Sequence, residues 1–186
     1  MLSNPGYLAI AAMSAIASLA RPAYGQSSNI TLFAPPAPLP FLHIELAVAA
    51  STFVTDLDGT TGQANNQGGN ITGAFSGEIL KLGTEFETYP TIANFTESLY
   101  DNVFTVNTTD GTPILMSISA HIHYTENALG GASLLLHGFG RIEFQTDSKN
   151  YLYLNYGDYI AEFEAVYPSG HASMDVFELK SSGHRA

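Results

Sequence analysis

The stretch ILMSISAHIHY, residues 114–124, alternates apolar and polar side chains along its whole length. This period of two predicts a β-strand, because successive side chains of a strand point to opposite faces. One face carries Ile114, Met116, Ile118, Ala120, Ile122 and Tyr124, and the other carries Leu115, Ser117, Ser119, His121 and His123. Since burying a large apolar side chain contributes about 1.5–3 kcal/mol, the first face should point into the core and both histidines outward.

Segments of the same texture recur along the chain and are separated by Gly, Asn, Asp or Pro. They predict further strands near 41–48, 71–80, 99–107, 132–145, 151–156, 159–167 and 172–179. Segment 109–113, which contains Asp-Gly, and segment 146–150 predict hairpin turns. The Gly- and Asn-rich stretch 55–70 predicts a loop, and no helical periodicity follows residue 25.

About eight antiparallel strands predict an all-β protein built as a single closed β-barrel. Closure favours a barrel over a sandwich, because a closed sheet has no exposed strand edges. A barrel of this size has room for packed side chains or for one small ligand. The length of 186 residues fits one such domain.

The composition argues against several partners and chemistries. A formal net charge of −11 repels nucleic acid and anionic membrane surfaces, so we expect neither as a partner. The chain has no Cys, which excludes a disulfide, a thiolate nucleophile and a zinc–thiolate site.

The N-terminal segment 1–25 has the layout of a secretory signal peptide. An uncharged apolar run at 7–20 is followed by small residues at Ala23 and Gly25, which suit cleavage before Gln26. The run is short for a membrane span, and a buried helix is the alternative. The chain then divides into the signal peptide 1–25, a proline-rich extended lead-in 26–40, a barrel 41–180 and a tail 181–186.

Four N-x-S/T sequons agree with passage through the secretory pathway. They begin at Asn29, Asn70, Asn94 and Asn107, and each is a possible glycan acceptor. We therefore expect a secreted or secretory-pathway glycoprotein that has no membrane association once the signal peptide is removed.

The pair His121 and His123 has two interpretations. Two histidines one residue apart on a strand can form half of a metal site. Their face also carries serines, and Glu126 is the nearest acidic residue, so solvated or interface histidines are the favoured interpretation. We expect no metal, and a cupin-like metal enzyme is the weaker alternative.

Several motifs in order resemble the DUF3237 (UPF0311) family. They are GGNITGAFSGEILKLGTEF at 68–86, YDNVFTVNTTDGTPILMSISA at 100–120, FQTDSKNYLYLN at 144–155 and MDVFEL at 174–179. The resemblance covers nearly all of 40–180. It implies a small antiparallel barrel of the calycin or allene-oxide-cyclase-like kind.

The resemblance also implies a function. Some fungal members of the family act in secondary metabolism as hetero-Diels–Alderases, which join a reactive quinone methide to a cyclic terpene alkene. Asp101, Asp110, Gly111, Leu154 and Asn155 stand where the family pattern has them.

The chain departs from the family pattern at two places. The family's Gly-Gly-x-Asp-Trp turn corresponds to 82–86, with the acid kept in type as Glu85 and the aromatic residue as Phe86. Ala120 replaces an expected Gly.

Parity along the predicted strands gives the candidate apolar lining of the lumen. The substrate-binding candidates are Met116, Ile118, Phe144 and Leu154, to which the resemblance adds Phe86. Tyr124 and Tyr156 lie on apolar faces and carry hydroxyl groups that need partners when buried. Core packing is the alternative for most of this set.

The polar candidates for catalysis also have structural alternatives. Asn155 could bind substrate or form a turn hydrogen bond, and Arg141 could bind a substrate oxygen or pair with Glu143 or another acid. His121 and His123 are candidates for proton transfer, and His43 with Glu45 could form an acid–base pair on an outer face. The catalytic candidates are therefore Tyr124, Tyr156, Asn155, Arg141, His121 and His123.

The first functional hypothesis is a cofactor-free barrel enzyme of fungal secondary metabolism that directs a (hetero-)Diels–Alder type cyclisation of small apolar reactants. The alternative is a non-catalytic barrel that binds a small hydrophobic ligand. Outward apolar residues such as Leu115 need cover, which predicts a possible homodimer through an outer sheet face.

Overall fold

The computed structural model describes residues 33–125, 134–167, 169–181 and 183, and in these residues the chain is nearly all strand. The predicted signal peptide and Asn29 lie outside the described residues. The strands in the described part are β1 Ala37–Val48, β2 Thr52–Thr55, β3 Gly59–Gly73, β4 Gly77–Pro90, β5 Glu97–Thr108, β6 Pro113–Tyr124, β7 Leu134–Gln145, β8 Tyr159–Tyr167 and β9 His171–Lys180. Short 3-10 helices occupy Thr91–Ala93 and Leu152–Tyr156. None of the described helices is long and apolar enough to cross a membrane.

Eight of these strands form a closed antiparallel barrel, which confirms the predicted fold. The strands from β3 to β9 pair in sequence order, and β1 closes the ring by pairing with both β9 and β3. The short strand β2 pairs with the first residues of β3, beyond the point where β1 ends. Closure leaves the eight ring strands without a free edge, as the sequence argument required.

The alternation in β6 positions its side chains as predicted. Its even-numbered residues from Ile114 to Tyr124 are at most 6% exposed, whereas His121 and His123 lie on the outer face. The same pattern in β1 buries Leu42, Ile44 and Leu46. Apolar burial along successive strands therefore determines which face of the sheet curls inward.

One half of the barrel interior is solidly packed. Side chains that are at most 1% exposed fill it, among them Ile44, Ile71, Ile79, Val106, Ile114, Met116, Ile118, Ile142 and Leu154. An aromatic cluster closes this end: the rings of Phe144 and Tyr159 are 4.8 Å apart, and those of Phe41 and Tyr159 are 4.9 Å apart. Open space inside the described barrel therefore lies toward the other half.

The predicted loop 55–70 was wrong, because most of it belongs to β3. The strand is rich in Gly and Asn since its neighbour approaches closely: a Cβ at Gly69 would lie 1.9 Å from the carbonyl oxygen of Glu45. The predicted strand 71–80 is instead split between β3 and β4 by the turn 74–76. Close backbone contact is an established reason for glycine within a strand.

The predicted strand 151–156 was also wrong. Its second to sixth residues form the 3-10 helix Leu152–Tyr156, and Tyr156 is 81% exposed instead of facing the lumen. Segment 146–150 therefore leads into this helix and not directly into a strand. The apolar Leu154 alone points inward and covers the packed end of the barrel.

The Asp-Gly hairpin at 109–113 is confirmed between β5 and β6. Asp110 accepts hydrogen bonds from the Thr108 hydroxyl and from the Thr112 backbone N–H, and Gly111 adopts a φ of +82° that favours glycine. β1 already starts at Ala37, within the proline-rich segment. Its prolines lie where β1 pairs with β9 but not yet with β3. Proline has no backbone N–H to donate, and a strand that is paired on one side only tolerates this loss.

Candidate functional site

A cavity of about 180 Å³ lies at the end of the barrel opposite the aromatic cluster. Its apolar lining comes mainly from Leu46, Val48, Phe53, Ile122, Leu136, Phe163, Ala165 and Met174, and its polar lining includes Glu85, Glu87 and Tyr100. A benzene molecule occupies a protein cavity of about 150 Å³, so a small organic ligand fits. Side chains therefore leave room for a guest at this end of the lumen.

Glu85 of β4 is a carboxylic acid inside the barrel. The residue is 7% exposed, and its Oε2 accepts a hydrogen bond from the Tyr100 hydroxyl at 3.0 Å. Among the described residues, Tyr100 is the only hydrogen-bond partner of this carboxyl group, so Oε1 has no hydrogen bond within the described residues, and the residue lines the cavity. Burial raises the pKa of Glu85 from its ordinary 4.5 to about 7; the Tyr100 hydroxyl lowers the pKa in part, and the charge of Glu87 raises it further.

A chain of buried hydrogen bonds orients the Tyr100 hydroxyl. The amide Nδ2 of Asn102 donates to this hydroxyl at 2.8 Å, so the hydroxyl proton is left to point at Glu85. Asn102 in turn exchanges reciprocal amide hydrogen bonds with Asn66 at 3.0 and 3.1 Å. Burial raises the pKa of Tyr100 well above 10, with a further contribution from Glu85, so the phenol stays protonated.

Glu87 lies two residues further along β4 on the same inward face. Its Oε2 accepts a hydrogen bond from Tyr89 at 2.7 Å, and its Oε1 accepts hydrogen bonds from Ser98 and Tyr124. The hydroxyl groups of Tyr89 and Tyr124 are also 3.2 Å apart. Three hydroxyl donors therefore fix the position of the Glu87 carboxylate beside the cavity.

A glycine on β7 makes room for one wall of the cavity. A Cβ at Gly138 would lie 2.1 Å from Cζ of Phe163, so only glycine lets this ring lie against the strand. The Phe163 ring also packs against Tyr100, with centroids 5.6 Å apart. The spacing HGFGR at 137–141 is thus explained by packing and not by phosphate binding.

The arrangement of Glu85 and Tyr100 can transfer protons near neutral pH. A carboxyl group with a pKa of about 7 is present in both protonation states there, which suits a general acid or base. In its neutral form it can also donate a hydrogen bond from Oε1 to a ligand oxygen, as neutral carboxyl groups in apolar sites do.

The structure brings one predicted catalytic residue to this site. Tyr124 lies inside the barrel and bonds to Glu87, as its apolar face predicted. Four predicted substrate-binding residues, Met116, Ile118, Phe144 and Leu154, are buried as expected, but they belong to the packed half and do not line the cavity.

The remaining predicted residues lie away from the cavity. Phe86 is 45% exposed on the outer face, because the residues on either side of it point inward. Arg141 pairs with Glu143 at 3.4 Å on the outside, and His123 pairs with Glu97 at 3.2 Å.

Asn155 also lies outside the cavity and forms the turn hydrogen bonds that were the alternative to substrate binding. Its side-chain amide exchanges hydrogen bonds with the backbone of Thr146 at 2.8 and 3.0 Å. It therefore anchors the connection between β7 and β8. Tyr156 and His121 are exposed to solvent.

Sequence reasoning missed Glu85, Glu87 and Tyr100. The sequence patterns predict no strand over 81–90, although Glu85, Glu87 and Tyr89 alternate there with Phe86 and Thr88. Because two of the inward residues are acids, the alternation resembles that of an outer face. In the described ranges, no group of three or more His, Asp or Glu residues is placed to hold a metal ion.

Comparison with known proteins identifies the fold. No family model and no curated protein matches the chain. A conserved protein of unknown function from Rhodopseudomonas palustris matches with a TM-score of 0.70 at 16% identity, over 79% of this chain and 99% of that one. A β-barrel-like protein from Acinetobacter baumannii matches with a TM-score of 0.65 at 18% identity, over 79% and 98% of the two chains.

A third match is a crystal structure of an enzyme from Penicillium herquei. Its TM-score is 0.59 at 19% identity, over 79% of this chain and 96% of that one. Likeness at this level of identity establishes a shared fold only. The protein is therefore a closed antiparallel β-barrel, and two glutamates line the apolar cavity at one end of its described lumen.

Proposed function

We propose that the protein binds a small apolar organic molecule in the cavity and that Glu85 transfers a proton or donates a hydrogen bond during its conversion. The observation that carries this proposal is the Glu85 carboxyl group, buried among apolar walls with a pKa of about 7. Apolar walls with a few polar groups are the usual form of a small-molecule site. Titratable groups with pKa values shifted by burial cluster at functional sites.

The finer proposal is a (hetero-)Diels–Alder type cyclisation of polyketide- and terpene-derived reactants, without a cofactor. It is supported by the resemblance of 68–86 and 100–120 to DUF3237 and by a neutral hydrogen-bond donor in an apolar cavity. Such a reaction needs two reactants held in one orientation. A donor such as Glu85 then stabilises the oxygen on which negative charge develops.

The same carboxyl group suits the loss of water that generates a quinone methide. Neutral Glu85 gives its proton to the leaving hydroxyl group, the C–O bond breaks, and water departs. The Glu85 carboxylate then accepts the phenolic proton of the reactant, which restores the acid and balances the step. Tyr100 holds the carboxyl group in position throughout.

The test is the cyclisation of a quinone-methide precursor with a cyclic terpene alkene, followed by chiral chromatography. We expect the protein to raise the rate and to favour one stereoisomer. Glu85→Gln should lose about tenfold or more of the rate, whereas the control Glu164→Gln, exposed on β8, should not. Unchanged rate and product ratio in the presence of the protein would contradict the proposal.

A non-catalytic carrier is the second candidate. The observation that favours it is a cavity closed at one end by the packed aromatic cluster, which suits retention of a ligand. Mass spectrometry of the purified protein distinguishes the two functions. An unchanged small apolar molecule that co-purifies and is never converted would support the carrier.

We also propose that the protein passes through the secretory pathway and is glycosylated. Asn70, Asn94 and Asn107 are exposed on the outside of the barrel, so glycans there are compatible with the fold. Glycosidase treatment of the protein from a eukaryotic secretory host should reduce its mass, and an unchanged mass would contradict glycosylation.

A further inference from the structure

The charge on Glu87 has no positive partner. Its hydrogen bonds come from three neutral hydroxyl groups, and in the described part of the chain no Lys, Arg or His forms an ion pair with it. Hydroxyl donors satisfy the carboxylate oxygens, but they leave the net negative charge in place. A charge in an apolar environment gains most from an opposite charge nearby, because the surroundings screen it weakly.

Glu85 adds a second acid to the same cavity wall. The residue is more than nine-tenths buried, and its Oε1 makes no hydrogen bond to any described residue. The cavity lining contains no Lys or Arg, and His171 at the mouth is its only basic residue. A cleft lined by one sign of charge and by apolar walls concentrates its field on a ligand of the opposite sign.

Aromatic rings line the cavity beside the two acids. Phe53, Tyr100 and Phe163 all contribute to its wall. The faces of aromatic rings attract cations, by about 0.5–2 kcal/mol for each well-placed ring. Acids and aromatic rings together form the usual environment for an organic cation.

We propose that this cavity recognises a small apolar ligand that bears one positive charge, with the Glu87 carboxylate as its counter-ion. The inference deepens the proposed function and rests on the cavity being a ligand site. In the proposed cyclisation, positive charge develops on the alkene carbon as negative charge develops on the oxygen. Glu87 and the rings stabilise the first charge, and Glu85 stabilises the second.

The test compares two ligands of equal shape that differ in charge. Phenyltrimethylammonium carries a permanent positive charge, and tert-butylbenzene is its neutral isostere. Both are larger than benzene and are suited to a cavity of about 180 Å³. Dissociation constants are measured by NMR titration at pH 6 and pH 8. We expect the cation to bind about tenfold more tightly than the isostere already at pH 6, where Glu85 is mostly neutral and Glu87 carries the negative charge.

The pH dependence separates the roles of the two glutamates. The groups that face Glu85 are Glu87, Tyr100 and, at the mouth, His171. Since Glu85 ionises near pH 7, cation affinity should rise by up to about tenfold from pH 6 to pH 8. Glu85→Gln should abolish most of this rise, and the control Glu164→Gln should retain it.

Three outcomes decide the proposal. Preference for the cation, lost in Glu87→Gln, supports it. Equal or tighter binding of tert-butylbenzene overturns it and leaves the proposed apolar ligand site intact, whereas binding of neither probe contradicts both. Because Glu87→Gln can fail to fold, the comparison of the two probes on the unmodified protein at pH 6, where Glu85 is mostly neutral, decides the question by itself.

Discussion

The Tyr100 hydroxyl donates a hydrogen bond to Glu85 Oε2 at 3.0 Å, across neighbouring strands of the barrel. Asn102 determines the direction of this bond, because its side-chain amide donates a hydrogen bond to the same hydroxyl at 2.8 Å and leaves the hydroxyl proton for Glu85. Asn102 thus fixes the Tyr100 hydroxyl, which in turn fixes Glu85. The second carboxyl oxygen of Glu85, Oε1, has no hydrogen bond to a described residue. Preorganisation of this kind positions an acid without any contribution from a ligand.

Protein stability should decrease as Glu85 ionises. The pKa of Glu85 is about 7 in the folded protein and 4.5 ordinarily, so the folded protein binds this proton more tightly than the unfolded chain does. Protonation of Glu85 therefore stabilises the folded protein, and this stabilisation is complete below pH 4.5. This stabilisation is lost as the pH rises through about 7, and the difference amounts to at most about 3 kcal/mol. Urea unfolding of wild type and Glu85→Gln between pH 4.5 and 8 measures it.

The substituted protein should lose most of this decrease, because glutamine does not ionise. Glu164→Gln, which removes an exposed acid on β8, should keep the wild-type profile. Identical pH profiles for wild type and Glu85→Gln would show that Glu85 titrates normally.

Tyr100→Phe should raise the pKa of Glu85 above about 7. The hydroxyl donor stabilises the ionised carboxylate, so its removal favours the neutral acid. NMR titration of ¹³C-labelled glutamate carboxyl groups measures the change. Tyr156→Phe, at a tyrosine that is 81% exposed, serves as the control, and an unchanged or lower pKa in Tyr100→Phe would contradict the prediction.

Gly138→Ala should disturb the cavity wall. The added methyl group would lie 2.1 Å from the Phe163 ring, so the ring must move into the cavity or the strand must shift. Overpacking of this kind costs about 1–3 kcal/mol, and ligand binding should weaken with it. Thermal unfolding measures the first effect and NMR titration the second.

A compensating substitution provides the control for this overpacking. Gly138→Ala combined with Phe163→Leu should recover much of the lost stability, because a smaller side chain leaves space for the methyl group. If the double variant loses more stability than the two single variants lose together, the two positions do not compete for space.

The strands with apolar alternation were predictable from sequence. In β6 the inward residues are apolar and the outward residues mostly polar, so burial alone assigns the faces. In β3 and β4 this signal disappears, because glycines permit close backbone approach and acids point inward. The fold was therefore recovered from its apolar strands, whereas β3 was not recognised.

The candidate site was largely unpredictable for the same physical reason. Glu85 and Glu87 cost free energy when buried, so an argument based on burial places them outside. Their hydroxyl partners come from β4 itself, β5 and β6, and only the folded barrel brings them together. Tyr124 was found because its ring is apolar enough to follow the burial rule.

His43 should titrate above its ordinary pKa of 6.5. Its Nδ1 lies 2.7 Å from Asp175 Oδ1 and its Nε2 lies 3.0 Å from Glu45 Oε1, and the hydrogen bond to Asp175 raises the pKa most. The imidazolium contributes stability below pH 6.5 that is lost as the pH rises through the raised pKa, and exposure keeps this contribution small.

Histidine NMR titration measures the pKa of His43 in three variants. Asp175→Asn should lower it more than Glu45→Gln does, because the Asp175 hydrogen bond has the larger effect. The control Glu164→Gln removes an acid from the same outer sheet without breaking either contact. If the pKa of His43 falls equally in all three variants, the net negative charge of the surface raises this pKa and the two hydrogen bonds do not.

An outer apolar face, formed by Phe86, Leu99, Val103, Leu115 and Phe139 on β4–β7, should mediate a homodimer. Each of these side chains is 38–52% exposed, and strand register places Ser119 between Asp101 and Arg141 within the face. A two-fold axis along β6 sets Asp101 opposite Arg141 of the second copy, so the face is complementary to itself. Sedimentation equilibrium should give a dimer at micromolar concentration and a monomer for Phe139→Asp. Ile92→Asp, at a residue 97% exposed elsewhere, should remain dimeric, and a wild-type monomer would refute the prediction.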